Sequence, residues 1–185
     1  VLMGQGLLNY STFSKGVIIK GVESKYFQDR KIFNQSLDTE TINAFSNNQG
    51  ILIGEKLKKK LNIKVGDRLN ILSPDNVETI LGSFPRSASF KVVGFFSIGM
   101  YEYDSSLIFF PIELMKNFLD SKNEIDFLEI YIDDFDRISF YKKELKGSLP
   151  VALRVIDWRE LNPSLFNALE VERNVMFLIL FLIIL

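Results

Sequence analysis

Val175-Met176-Phe177-Leu178-Ile179-Leu180-Phe181-Leu182-Ile183-Ile184-Leu185 is a run of eleven residues without one polar side chain. A membrane-crossing helix needs about 20 such residues, so this run reads as the first part of a cut transmembrane helix. The alternative is a core helix at the end of a soluble domain, which length alone favours. A helix packed on one side keeps a polar stripe, however, and this one has none. Val175, Phe177, Leu178, Phe181 and Leu182 are therefore the residues expected to enter a membrane.

Upstream lies Asp157-Trp158-Arg159-Glu160-Leu161-Asn162-Pro163-Ser164. Asn162-Pro163 supplies a capping side chain and a ring that needs no N–H donor, which starts a helix near Pro163. Glu170, Glu172, Arg173 and Asn174 form a polar collar just before the apolar run, suited to a membrane surface. Residues 1–157 then form a domain in water, and 158–185 form a connecting helix and truncated membrane helix. Val1 is not expected to be the natural start; an earlier membrane helix, if the whole protein has one, lies upstream.

Composition narrows what such a domain does. With 185 residues, 47% of them hydrophobic, there is chain enough for one good core or two small lobes. A formal net charge of -1 provides no general pull toward nucleic acid or anionic lipid. The chain has neither Cys nor His, which removes disulfides, thiolate chemistry and the commonest general base and metal ligand. No phosphate-cradling glycine loop, nucleophile elbow or dinucleotide fingerprint occurs. Ser14-Lys15 and Ser24-Lys25 lack the spacing of a Ser-Lys dyad. The chain reads as non-catalytic, with no cofactor or metal of its own.

In chain order, Val1–Tyr10 and Gly16–Val22 read as strands. Glu23–Gln35 is loop with short turns, and Leu37–Phe45 is a short helix capped by Asp38. Ile51-Leu52-Ile53 is a buried strand, and Leu57 and Leu61 mark the inner side of the helix that follows. Lys56, Lys59 and Lys60 read as a solvated face, since no aromatic stacking residues interleave them. Val65-Gly66-Asp67 turns into a strand at Arg68–Leu72.

Ser73 to Ser87 then reads as a loop of about fifteen residues, against the two to five of an ordinary hairpin. It carries Val77, Ile80, Leu81 and Phe84 where a loop is usually polar, with Pro74 and Pro85 stiffening its ends and Gly82 permitting a bend. The alternatives are a projecting hook for a partner and a loop packed on its own domain.

Phe90–Phe96 is a strand, Ser97–Ser106 an aromatic turn, Leu107–Phe110 a buried strand, and Pro111 opens a helix. Phe127–Ile132 alternates as a half-buried strand. Asp133, Asp134 and Asp136 lack the spacing of a calcium loop and read as helix caps. Pro150–Ile156 reads as a last strand. The fold class is α+β with mixed sheets.

Five blocks in this order carry a family resemblance: Ile51-Leu52-Ile53-Gly54-Glu55-Lys56-Leu57, Val65-Gly66-Asp67-Arg68-Leu69, Phe90-Lys91-Val92-Val93-Gly94-Phe95-Phe96, Gly99-Met100-Tyr101-Glu102-Tyr103-Asp104 and Asp157-Trp158-Arg159-Glu160-Leu161-Asn162. Together they resemble the LolC/LolE permease subunits of the lipoprotein-releasing ABC transporter. The first three are shared with MacB-type permeases.

The resemblance implies a MacB-like periplasmic domain followed by a helix into the bacterial inner membrane. It implies these partners: a LolD-like cytosolic ATPase subunit that binds ATP and Mg, a second permease copy or paralogue, acylated lipoprotein, membrane lipid and a LolA-like periplasmic carrier. One permease type carries a carrier-recruiting hook with Thr-Pro-x-Gly-x-x-Pro. Here Thr79, Ile80, Leu81, Gly82, Ser83, Phe84 and Pro85 match it, with Ile80 in place of the first proline. Leu81 and Phe84 are the expected anchors, and Arg86 is expected to meet acidic groups of the carrier. A MacB-type exporter, an FtsX-like permease and a membrane-tethered hydrolase are the alternatives.

Overall fold

The structure, a computed structural model, describes residues 1–28, 30–33, 36–79, 82–120, 125–150 and 152–184, with backbone alone for 75–79 and 83. The chain divides into two compact units, Val1–Glu129 and Ile130–Leu185.

The first unit is built on six strands: β1 (Leu2–Tyr10), β2 (Phe13–Val22), β3 (Ile51–Gly54), β4 (Arg68–Thr79), β5 (Gly82–Phe96) and β6 (Leu107–Pro111). They close into a barrel in the order β1-β2-β6-β3-β5-β4. β2 with β6 and β3 with β5 run parallel, and the remaining pairs run antiparallel. The expected mixed sheet is thus observed, and it is closed.

The unbroken hydrophobic runs of β3 and β6 follow from burial on both faces. Because successive side chains point to opposite sides, Ile51, Ile53, Ile108 and Phe110 fill the barrel interior. Leu52, Leu107 and Phe109 point outward into a second apolar cluster with Phe27, Phe33 and Phe45. Those outer partners come from α1 (Lys25–Gln28), the 3-10 turn Lys31–Phe33 and α2 (Thr39–Ser46). Phe109 has no exposed surface, and its ring meets Phe96 at 4.7 Å and Phe27 at 5.2 Å. Asp38 caps α2 by accepting from the Thr41 N–H at 2.8 Å.

α3 (Glu55–Leu61) buries Leu57 fully and Leu61 in part. Ser97–Ser106 is not a turn throughout, since Tyr101–Ser106 forms α4. The buried Asp104 carboxylate organises it, accepting from Ser97 Oγ at 3.0 Å and from the N–H groups of Ile98 at 2.7 Å and Gly99 at 3.2 Å. α5 (Ile112–Leu119) follows Pro111 and places Met115 and Phe118 in the interior cluster. Phe118 meets Phe90 of β5 edge to face at 5.1 Å.

Two expected strands do not form. Phe127–Ile132 leaves Leu128, Ile130 and Tyr131 exposed, so its alternation has no core to face. β4 takes the edge of β1 at Leu7–Asn9, and at the start of β1 the segment makes one backbone pair, Val1 with Phe127. Pro150–Ile156 is irregular where described, and the second unit has no strand among its described residues to pair with it.

The second unit contains α6 (Ile138–Ser148), α7 (Trp158–Leu161) and α8 (Pro163–Ile184). Asp134 caps the turn before α6 and Asp157 caps α7. The helix start at Pro163 is as expected, but the Asn162 side chain donates back to the Trp158 carbonyl, closing α7 instead of capping α8. The division between units falls earlier than the 157/158 boundary read from the sequence.

Candidate functional site

The stretch read as a fifteen-residue loop is a β-ribbon. β4 runs on to Thr79 and β5 begins at Gly82, with pairs Asn76–Pro85, Val77–Phe84, Glu78–Ser83 and Thr79–Gly82. Apolar residues are present because strands favour them, and the prolines mark where pairing is disturbed, not where strands end. The register shifts between Leu72 and Asn76. Four steps on β4 oppose two on β5 there, a bulge that redirects the ribbon. β4 pairs with β1 at Asn70, Ile71 and Leu72, and among the described residues the strand pairs from Asn76 to Thr79 are with β5.

Of the expected hook residues, Ile80 and Leu81 lie outside the described residues. Thr79 and Gly82 form the last described pair, and Gly82 has φ +119°, which favours glycine. Phe84 is 53% exposed, and Pro85 beside it is also exposed. Alternation along β5 puts Phe84, Arg86, Ala88 and Phe90 on one face. Arg86 already has an acidic neighbour, Asp120, at 3.3 Å just after α5. Asp120 is 66% exposed and Arg86 25%, so the pair is part solvated and worth about 1 kcal/mol.

An open groove of about 330 Å³ lies at the ribbon's root, between Gln5, Gly6 and Leu7 of β1 and Leu72, Ser73, Pro74 and Pro85. It has no charged lining residue. Sequence reasoning missed it, because β1 read only as a strand and nothing in its residues shows that β4 bulges away beside it.

On α8, Val175, Phe177, Leu178, Phe181 and Leu182 are all at least half exposed. Exposure extends around the whole helix, which buries no residue. The helix spans roughly 33 Å, but its described apolar end, Val175–Ile184, spans about 15 Å. No helix among the described residues is long and apolar enough to cross a membrane. Ahead of it, Lys142 contacts Asp157 at 3.0 Å and Glu160 at 2.5 Å. Burial would raise the Asp157 carboxyl, but the Glu160 N–H and Lys142 hold it below the usual carboxylate range. The Glu160 hydrogen bond, with Asp157 adding to it, raises Lys142.

A family model described as MacB-like periplasmic core domain matches residues 2–146. The chain belongs to that family. Lipoprotein-releasing system transmembrane protein LolC of Neisseria meningitidis serogroup B is 33% identical over 138 residues, 72% of this chain and 32% of the relative. LolC of Xylella fastidiosa strain 9a5c is 26% identical over 168 residues, 90% of this chain and 40% of the relative. LolC of Buchnera aphidicola subsp. Acyrthosiphon pisum is 32% identical over 134 residues, 71% and 33% respectively. These relatives support the LolC/LolE resemblance within the MacB-like family. The chain spans about a third of the length of the first of them. Among solved structures, the extracellular domain of the noncanonic ABC-type transporter YknZ from Gram-positive bacteria shares the fold. Its TM-score is 0.53 at 17% identity, covering 84% of this chain and 78% of that one.

Proposed function

We propose that this chain is the periplasmic domain of a LolC-type permease of the bacterial inner membrane. In this reading it is non-catalytic and works with a second permease copy or paralogue and a cytosolic ATPase that binds ATP and Mg. α8 continues into the bilayer, and acylated lipoproteins leave the membrane lipid for a LolA-like periplasmic carrier. The relatives' names support the permease reading. The observation that carries the carrier reading is the ribbon from Asn76, whose described strand pairs join β4 to β5 and which presents Phe84 and Pro85. A projecting apolar anchor on a stiff two-stranded arm is suited to filling a partner's pocket. The uncharged groove at its root adds surface for the same contact.

Phe84→Asp tests this directly. Capture of the carrier by residues 1–185 is expected to fall at least tenfold while circular dichroism is unchanged. Undiminished capture overturns the hook assignment. The MacB-like family also suits an exporter or FtsX-like permease, in which the same ribbon would engage a different periplasmic partner.

A further inference from the structure

The segment Asp126–Glu129 ends the first unit, and it is held in an unusual way. Its Phe127 exchanges two backbone hydrogen bonds with Val1, at 3.1 and 3.4 Å. The Met3 N–H donates to the Asp126 carboxylate at 2.6 Å. The Glu129 carboxylate sits 2.5 Å from Lys20 and 3.6 Å from Arg30. No apolar side chain of the segment reaches the core, since Phe127 is 37% and Leu128 80% exposed.

The hold is therefore mainly polar and ionic: Phe127 is covered over about two thirds of its surface but joins neither of the apolar clusters that keep β1 to β6 together. The cationic seat is also built without Glu129. Lys20 donates to the Tyr26 hydroxyl at 3.0 Å, and Arg30 donates to the Tyr26 carbonyl with its guanidinium 3.3 Å above the Tyr26 ring. Departure of the carboxylate leaves those contacts standing.

We infer that Asp126–Glu129 is a latch, a strap that lifts off β1 as a unit while the barrel stays closed. Its release frees four extended residues, about 13 Å of chain, and so moves the point at which the chain leaves the first unit. The inference is independent of the transport reading, because it concerns contacts inside one unit.

Hydrogen exchange on residues 1–185 tests it. The Met3 and Phe127 amides report the latch, and those of Ile19, Ile53 and Ile108 report the barrel. The latch amides are expected to exchange at least tenfold faster than the barrel amides. Glu129→Gln should accelerate the latch amides a further fivefold or more with the barrel amides unmoved. Asp126→Asn, which weakens the acceptor for Met3, should act alike. Equal protection of both sets, a uniform shift of both in the Gln variant, or no response to either substitution overturns the inference.

Discussion

A Cβ added to Gly54 would stand 2.2 Å from the carbonyl oxygen of Asp104. The end of β3 and the second half of α4 therefore touch backbone to backbone, and two of the sequence blocks that carry the LolC/LolE resemblance meet at that contact. Gly54→Ala is expected to destabilise the domain by about 3 kcal/mol, the upper end for overpacking, because backbone has little room to move. Asp104→Ala should cost about as much by orphaning the donors of Ser97, Ile98 and Gly99. Urea denaturation of each variant measures both, and a loss under 1 kcal/mol in either contradicts the structural role.

Phe109 sits among Phe27, Phe33 and Phe96 on the outer side of the barrel wall. Truncation to Ala removes a fully buried ring and is expected to cost about 3 to 5 kcal/mol. Phe135→Ala, at a ring 76% exposed, should cost under about 0.5 kcal/mol. Thermal unfolding of the pair provides the comparison.

Gly82→Val places a β-branched residue at φ +119°. The strain should displace the turn of the ribbon, and exchange of the Val77 and Thr79 amides should rise by tenfold or more while Ile108 is unmoved. Among the described residues the strand pairs there join β4 to β5, so an effect reaching Ile108 would contradict the separation.

Asp157 is depressed and Lys142 is raised relative to their ordinary values. The stabilisation from Asp157 is present above its unfolded value of about 3.9 and fades as pH falls through the lower folded value. That from Lys142 is complete below about 10.4 and fades as pH rises through the higher folded value. Chemical shifts of the α7 amides should therefore hold constant between about pH 5 and 9 and change outside that window. In Lys142→Met the alkaline change should vanish and the acid change should begin at higher pH.

Much of the barrel was legible because burial on two faces leaves a plain mark. Ile51-Leu52-Ile53 and Leu107–Phe110 are too short for helices and too apolar for anything but inner strands, and they are. Asp38 and Pro111 announced helix starts by cap chemistry that operates within a few residues. What failed was whatever depended on neighbours distant in sequence. Phe127–Ile132 alternates correctly for a strand, but neither of its faces finds a core to cover, with Leu128, Ile130 and Tyr131 exposed. Ser73–Ser87 looked too long for a hairpin connection because the strands themselves were longer than their hydrophobic cores. Asp120, which engages Arg86, and Gln5, which borders the groove, carry no local signal of those roles.

The two surplus residues at the Leu72–Asn76 shift act like a change of gear. Side chains outside the barrel need not keep step with those within it, so the arm can be lengthened, shortened or exchanged without repacking Leu69, Ile71 or Phe90. One scaffold can then carry different arms by replacing only what lies between Leu72 and Ser87.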